Sequence, residues 1–262
     1  MNSSNCVVVI GLGEIGAPLM QLISEHFEVT GVDVTLVEPP PYVEVMHICY
    51  PFQISDFVGE TARYIDLFKP RLTVINSTVA VGTTRAIADR TGTEVVNSPI
   101  RGKHAQMIKD LRSYTKFVGA LNSESAESAV RHFESIGLNV QVVGSPETTE
   151  LAKLSETTYF GLLIGWAQEV ERYCARAGVD YDEVTSFYSE IKYFPPVNYF
   201  AGIIGGHCVM PNIEILRKFD DSEMLSAIVN SNMMKIHREY DKGRDSAVIR
   251  AGTRVLDPLT QG

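Results

Sequence analysis

The 262-residue chain carries 45% hydrophobic and 21% charged residues, ordinary for a folded globular protein and enough for one sizeable α/β domain plus a smaller helical partner. Its net charge of −9 argues against a nucleic-acid or anionic-membrane surface as the main partner. No apolar run approaches the roughly 18 residues that span a bilayer, and Met1-Asn2-Ser3-Ser4-Asn5 lacks the basic segment of a secretion signal.

The elements follow in chain order. Cys6–Ile10 is a continuous apolar run of the kind that fills a central parallel strand. Gly11 to Gly16 follows, then a helical stretch to about His26 and a second strand, Phe27 to Asp33. Further strands are expected at 43–50, 71–76, 93–96, 115–118 and 139–143, with helices over 56–68, 83–90 and about 125–136. This alternation implies an α/β fold, a doubly wound and mostly parallel sheet. Composition changes near Gly144, so residues 1–144 are read as one domain. Ser145-Pro146-Glu147 reads as a helix start, with an N-cap serine, proline at the first helical position and an acid at the positive end of the dipole. The helical pattern runs to Ala177 and is closed by Gly178, a span of roughly 48 Å at about 1.5 Å per residue. A helix of that length is expected to link the first domain to a small all-α domain over 145–240, with helices near 181–190 and 221–240 and a polar tail at 241–262.

Gly11-Leu12-Gly13-Glu14-Ile15-Gly16 matches GxGxxG between a strand and a helix, and Asp33 ends the next strand. Gly11 suits a tight turn, Gly13 a close approach to a pyrophosphate and Gly16 close helix–strand packing. This is the fingerprint of a Rossmann-type dinucleotide-binding domain. Asp33 suits an adenosine ribose and repels a 2′-phosphate, so NAD is the expected cofactor, with FAD the main competitor for the same fingerprint. Glu14, Ile15, Tyr50, Pro51, Ser77 and Thr78 join the expected cofactor-binding set.

Four stretches beyond it carry chemistry. Ser77 to Thr84 follows a strand at the carboxyl edge, where open α/β sheets bind ligands; an ordinary strand-to-helix loop is the alternative. The long helix carries Glu150, Lys153, Thr157 and Gln168, the first three on one face; a surface Glu–Lys pair is the alternative to a partly desolvated lysine that polarises oxygen. Asn97 to His104 offers Arg101, Lys103 and His104 to an anionic substrate, or else presents solvated loop charges. The four cysteines form neither a CxxC pair nor a zinc spacing, which fits a reducing cytoplasm, and no metal is expected. Cys6, Cys49 and Cys174 sit in apolar patterns and read as buried. Cys208, between Gly205-Gly206 and Pro211, reads instead as a nucleophile in a glycine-rich loop, with His207 structural.

Together these blocks (GLGEIG, the acid after GV, STVAVGTT, NSP with GK and KDL, ELAKL and GIIGGHC) resemble the UDP-glucose/GDP-mannose dehydrogenase family over about residues 6–240. The resemblance implies oxidation of a sugar alcohol in two NAD-dependent steps through a thioester on Cys208, with Lys153 as oxyanion and water partner and Thr78 orienting water. It implies a homodimer formed through the helix 146–177 and a small, sugar-like substrate, for which Arg101, Lys103, His104, Glu150, Thr157 and Asn212 are the candidate binders. Departures are specific. Ile100 stands where the family has a glutamate, Thr157 where it has an asparagine, Asn212 where it has an aspartate, and Met210 precedes a displaced Pro211. Residues 33–43 leave little room for the usual helix, and little chain after 240 remains for a C-terminal nucleotide-sugar domain. Two other expectations stay open: a β-hydroxyacid-type dehydrogenase using Lys153 without the thiol, and a protein that binds NAD or a nucleotide sugar without turnover.

Overall fold

The computed structural model describes residues 6–35, 37–102, 106–191, 200–206 and 208–241. The chain divides into two compact units, Met1–Lys153 and Leu154–Gly262.

Among its described residues the first unit holds one sheet, β1 (Cys6–Ile10), β2 (Glu28–Val32), β3 (Val45–Ile48), β4 (Leu72–Ile75), β5 (Val95–Asn97), β6 (Lys116–Ala120) and β7 (Val140–Val143), in the order β2-β1-β3-β4-β5-β6-β7. All pairings are parallel except β5 with β6. The sheet is a Rossmann-type doubly wound one, but β2 is its edge. The short segment from Val32 to Val45 leads directly to β3 on the other side of β1. The reading of 33–43 as too short for a helix agrees with this order.

β1 is buried along its whole length because side chains alternate between two covered faces. Val7 and Val9 pack with Leu19, Leu22 and Ile23 of α1 (Gly16–Ser24) and with Phe133 of α5 (Ser123–Ser135). Val8 and Ile10 face Phe57, Ile65 and Phe68 of α2 (Phe57–Phe68) and Ile87 of α3 (Thr83–Thr91). Asp56 caps α2 through Gly59 N at 2.7 Å, and Asn122 caps α5 through Ser125 N at 2.8 Å.

A short helix, α4 (Met107–Ser113), stands where the sequence reading names no element. It is too short to display a helical period, and Met107 and Leu111 bury one side of it in the core. The long helix α6 runs from Pro146 to Ala177, as read, and the division between the units falls inside it. The second unit continues with α7 (Tyr181–Ser189), α8 (Val209–Phe219) and α9 (Glu223–Asp241). α8 is a second departure, since its first turn had been read as the end of the glycine-rich loop. Ile204, Val209, Met210, Ile213, Leu225 and Ile228 form this unit's core. Gly161 of α6 admits α8, for a β-carbon there would lie 2.7 Å from Val209 Cγ1.

The glycines of the first turn differ in what a methyl group would meet. At Gly16 it would fall 1.7 Å from the Gly11 carbonyl oxygen, whereas at Gly13 nothing lies within 4 Å. Gly16→Ala is expected to cost about 1–3 kcal/mol or more through backbone displacement. Gly13→Ala is expected to stay within about 0.5 kcal/mol of the wild-type stability, as surface substitutions usually do. Urea denaturation of both variants checks the contrast, and equal losses would refute it.

Candidate active site

The turn after β1 is built for close approach. Gly11 has φ +89°, in the left-handed region, and a β-carbon on it would lie 2.7 Å from Tyr50 N. No side chain caps α1, and the direction of a Gly13 β-carbon is open space. An anionic group is favoured at such a helix start by the dipole and the unsatisfied amides. Glu14 and Asp33 are exposed, Asp33 just past the end of β2, and Ile15 is half-buried. Tyr50 and Ser77 are committed to the scaffold. The Tyr50 hydroxyl meets Thr61 Oγ1 at 2.6 Å, and Ser77 Oγ donates to the Tyr50 carbonyl at 2.6 Å. Thr78 is half-buried and Pro51 exposed at the same carboxyl edge.

Glu150 has a role that spacing did not show. Gly82, the N-cap of α3, has φ +92° and offers no side chain to its helix. The buried Glu150 carboxylate replaces that cap, accepting from Gly82 N at 2.7 Å and Thr84 N at 2.8 Å. Burial pushes its pKa up while those amides pull it down. Lys153 is half-buried on the next turn of α6.

The loop after β5 is also internally tied. Ile100 is buried in the core with Met107 and Leu111. Arg101 donates to the Thr115 carbonyl at 2.7 Å and lies over the Phe117 ring at 4.9 Å, so its guanidinium is engaged by the fold. Lys103 and His104 lie outside the described residues, as does His207.

Sequence reasoning missed the group behind this loop. Lys116 is buried, and its ammonium donates to Asn76 Oδ1 at 3.3 Å, to the Pro99 carbonyl at 3.3 Å and to the Ser98 carbonyl. Asn76 Nδ2 sits 2.9 Å from His47 Nδ1, and His47 Nε2 sits 2.9 Å from His132 Nε2. An amide nitrogen can only donate, so Asn76 donates to Nδ1 of His47, which in turn donates from Nε2 to His132. Burial keeps both imidazoles neutral, lowering His47 and bringing His132 to about 4. The available signal was a lysine opening an apolar strand, which reads as a solvated strand end.

In the second unit, Cys208 is exposed at the N-cap of α8, while Cys6, Cys49 and Cys174 are buried. Asn212 lies one turn further along α8 and donates to Thr157 Oγ1 at 3.0 Å. Both positions depart from the family's residues, yet the two side chains meet.

Residues 147–238 match the UDP-glucose/GDP-mannose dehydrogenase family, central domain. UDP-N-acetyl-D-mannosamine dehydrogenase of Methanococcus vannielii is 25% identical over 254 residues, covering 78% of this chain and 59% of that protein. The chain therefore spans about three fifths of that relative's length. Among solved structures, UDP-D-ManNAc dehydrogenase from Pyrococcus horikoshii aligns with a TM-score of 0.78 at 19% identity, over 90% of this chain and 70% of that one. Mycobacterium tuberculosis 3-hydroxyisobutyrate dehydrogenase gives 0.66 at 15% identity, over 94% of this chain and 98% of that one. At these identities the two structures show a shared fold.

Burial first, then the like charges of Arg101 and Lys153, brings Lys116 down to about 7, against the opposing pull of Cys49. An unfolded lysine titrates near about 10.4, so above pH 7 the unfolded chain holds a proton that the folded chain has released. Stability is therefore expected to rise with pH through this window. Cys49, pushed up to about 12, opposes the rise above about pH 9. Between pH 7 and 9 the stability of the wild type relative to Lys116→Met should increase by roughly 2–3 kcal/mol. Urea titrations at several pH values measure the difference, and a flat one would refute the assignment.

Proposed function

We propose that the chain is an NAD-dependent oxidoreductase that oxidises an alcohol of a small, sugar-like substrate, with Cys208 as nucleophile and Lys153 as oxyanion partner. The observation that carries this reading is the exposed thiol heading a helix in the matched central domain, while the other three cysteines are buried. The glycine turn fits a dinucleotide, since the space beyond Gly13 is open and Gly11 and Gly16 have the close contacts the motif requires. Asp33 would accept hydrogen bonds from the adenosine ribose, and the open end of α1 would face the diphosphate. NAD bound there supplies a two-electron hydride acceptor.

The residues do the rest. Lys153 would stabilise the alcohol oxygen as its proton leaves and the carbonyl forms. The Cys208 sulfur would then add to the aldehyde carbon, giving a thiohemiacetal whose oxygen Lys153 again holds. Loss of a second hydride from that carbon, which needs a second NAD exchanged for the first NADH, would leave a thioester, and hydrolysis would return the thiol and release a carboxylate. Water for that last step would be oriented by Thr78. With Ile100 in place of an acid, the step lacks the expected general base, a contribution of roughly 10²–10⁴-fold. Oxidation as far as the aldehyde does not need that group.

A second reading is a β-hydroxyacid-type dehydrogenase in which Lys153 is the acid/base and the thiol is idle. The alignment over nearly the whole of the 3-hydroxyisobutyrate dehydrogenase chain favours it. NADH formation with nucleotide sugars, free sugars and sugar acids separates the readings. Cys208→Ala is expected to lower kcat by about 10³-fold or more while NAD still binds, as loss of an essential nucleophile does. Full activity in that variant would leave the lysine-only reading. NAD binding without turnover on any substrate would leave a binding protein. Gly13→Ala should weaken NAD affinity at unchanged stability.

The chain is proposed to dimerise through α6. Tyr159, Trp166 and Tyr173 recur at seven-residue spacing on that helix and are 53%, 54% and 46% exposed, an apolar stripe of the kind helices bury against each other. Light scattering should give twice the chain mass for the wild type and the chain mass for Trp166→Glu. A monomeric wild type would refute the dimer.

A further inference from the structure

The glycine-rich segment leading to Cys208 has few side chains of its own with which to hold a position, yet its backbone is tied down by polar groups from two helices. Asn232 of α9, fully buried, accepts from Ile204 N at 2.8 Å through Oδ1 and donates to the Ile204 carbonyl at 2.9 Å through Nδ2. This side chain copies the pairing that a neighbouring strand would give. Gln168 of α6, also fully buried, donates to the Gly202 carbonyl at 2.6 Å and to Asn232 Oδ1 at 3.3 Å. The Gly202 carbonyl can only accept, which fixes the orientation of the amide and leaves its Oε1 3.0 Å from Ser231 Oγ. Ile204 is itself buried in the unit's core. Downstream of the thiol, the Asn212–Thr157 bond and the Val209–Gly161 approach hold the first turn of α8.

We infer that Asn232 and Gln168 are positioning residues for the Cys208 thiol: they pin Gly202 and Ile204 so that the following glycines deliver the sulfur to the head of α8. The inference deepens the proposed thiol chemistry and rests on it for its functional meaning. Neither residue touches the reacting atoms. They act by denying the loop the conformations that Gly205 and Gly206 would otherwise allow, which is the freedom a positioned nucleophile has to lose. Gly206, at φ +76°, is the swivel nearest the thiol.

The test is alkylation of the purified full chain by iodoacetamide, resolved at each cysteine by mass spectrometry. Cys174, buried in the same unit, reports whether that unit stays folded. In the wild type, Cys208 should react at a rate differing by about tenfold or more from its rate in the urea-unfolded chain, because local structure sets thiol reactivity. In Asn232→Ala or Gln168→Met, with Cys174 still protected, that rate should move to within about twofold of the unfolded value. An unchanged Cys208 rate in both variants overturns the proposal, as does a wild-type rate equal to that of the unfolded chain. If Cys174 becomes reactive in both variants, the network holds the unit rather than the thiol, and the proposal falls. None of these readouts needs turnover. A Cys208→Ala protein that kept its activity would instead remove the thiol chemistry and leave the alkylation result standing.

Discussion

The placement of the long helix depends on one carboxylate. Gly82 reverses the chain into α3 but brings no side chain to cap it, so two amides at that helix start are left to another element. Glu150 meets both. Leaving a buried amide unpaired costs about 1–3 kcal/mol, so the loss of both would be a large part of a domain's stability. Two neighbours make the arrangement possible. Gly119 has no β-carbon, and one there would lie 2.3 Å from the Ser145 carbonyl oxygen, so the start of α6 can sit against β6. Thr149 is buried and donates to the Pro146 carbonyl at 2.9 Å. With its first turn held in one phase, α6 carries Lys153 to a fixed place on the next turn. Glu150, a candidate substrate residue by spacing, is engaged in holding the helix that bears the lysine.

The same logic recurs inside both units. A buried carbonyl outside a helix or strand has no automatic partner, and a partner has to come from a side chain. In the first unit Lys116 serves the carbonyls of Ser98 and Pro99, and in the second Gln168 and Asn232 serve those of Gly202 and Ile204. The glycine-rich segment stood out in the sequence for Cys208, and the loop after β5 for charges that suit either an anionic substrate or solvent. The residues that hold them were far away in sequence. Lys116 carries the greater cost, since an ammonium in the core is stabilised by only three acceptors and the Phe133 ring at 5.2 Å.

What the sequence made legible follows from period and length. β1, the glycine turn, α2 and the bounds of α6 were readable because apolar runs, caps and a terminal glycine are local signals. α4 and the start of α8 were not, because one or two turns beside glycine and proline carry no measurable period. The roles of Glu150, Arg101 and Lys116 were not readable either, since each is decided by a partner that only the tertiary fold brings near. By sequence Arg101 suits either an anion or solvent, yet Thr115 and Phe117, more than ten residues away, occupy it.

The departures from the family also have a direction. Ile100 is not an idle replacement at a solvent-facing position; it packs into the core with Met107 and Leu111, so the wall there is apolar. Restoring a carboxylate at that position would bury a charge without a ready partner. Thr157 and Asn212, by contrast, hydrogen-bond to each other across α6 and α8, as two neutral groups. One turn from the thiol, the two helices are therefore linked without a charged group. On the proposed chemistry, these changes fall unevenly on the reaction. Holding a carbonyl and presenting a thiol need the lysine, the glycine-rich loop and the helix it leads into, and all of these are present. Activating water against a thioester needs a base, and the position from which the family supplies one is now part of the hydrophobic core.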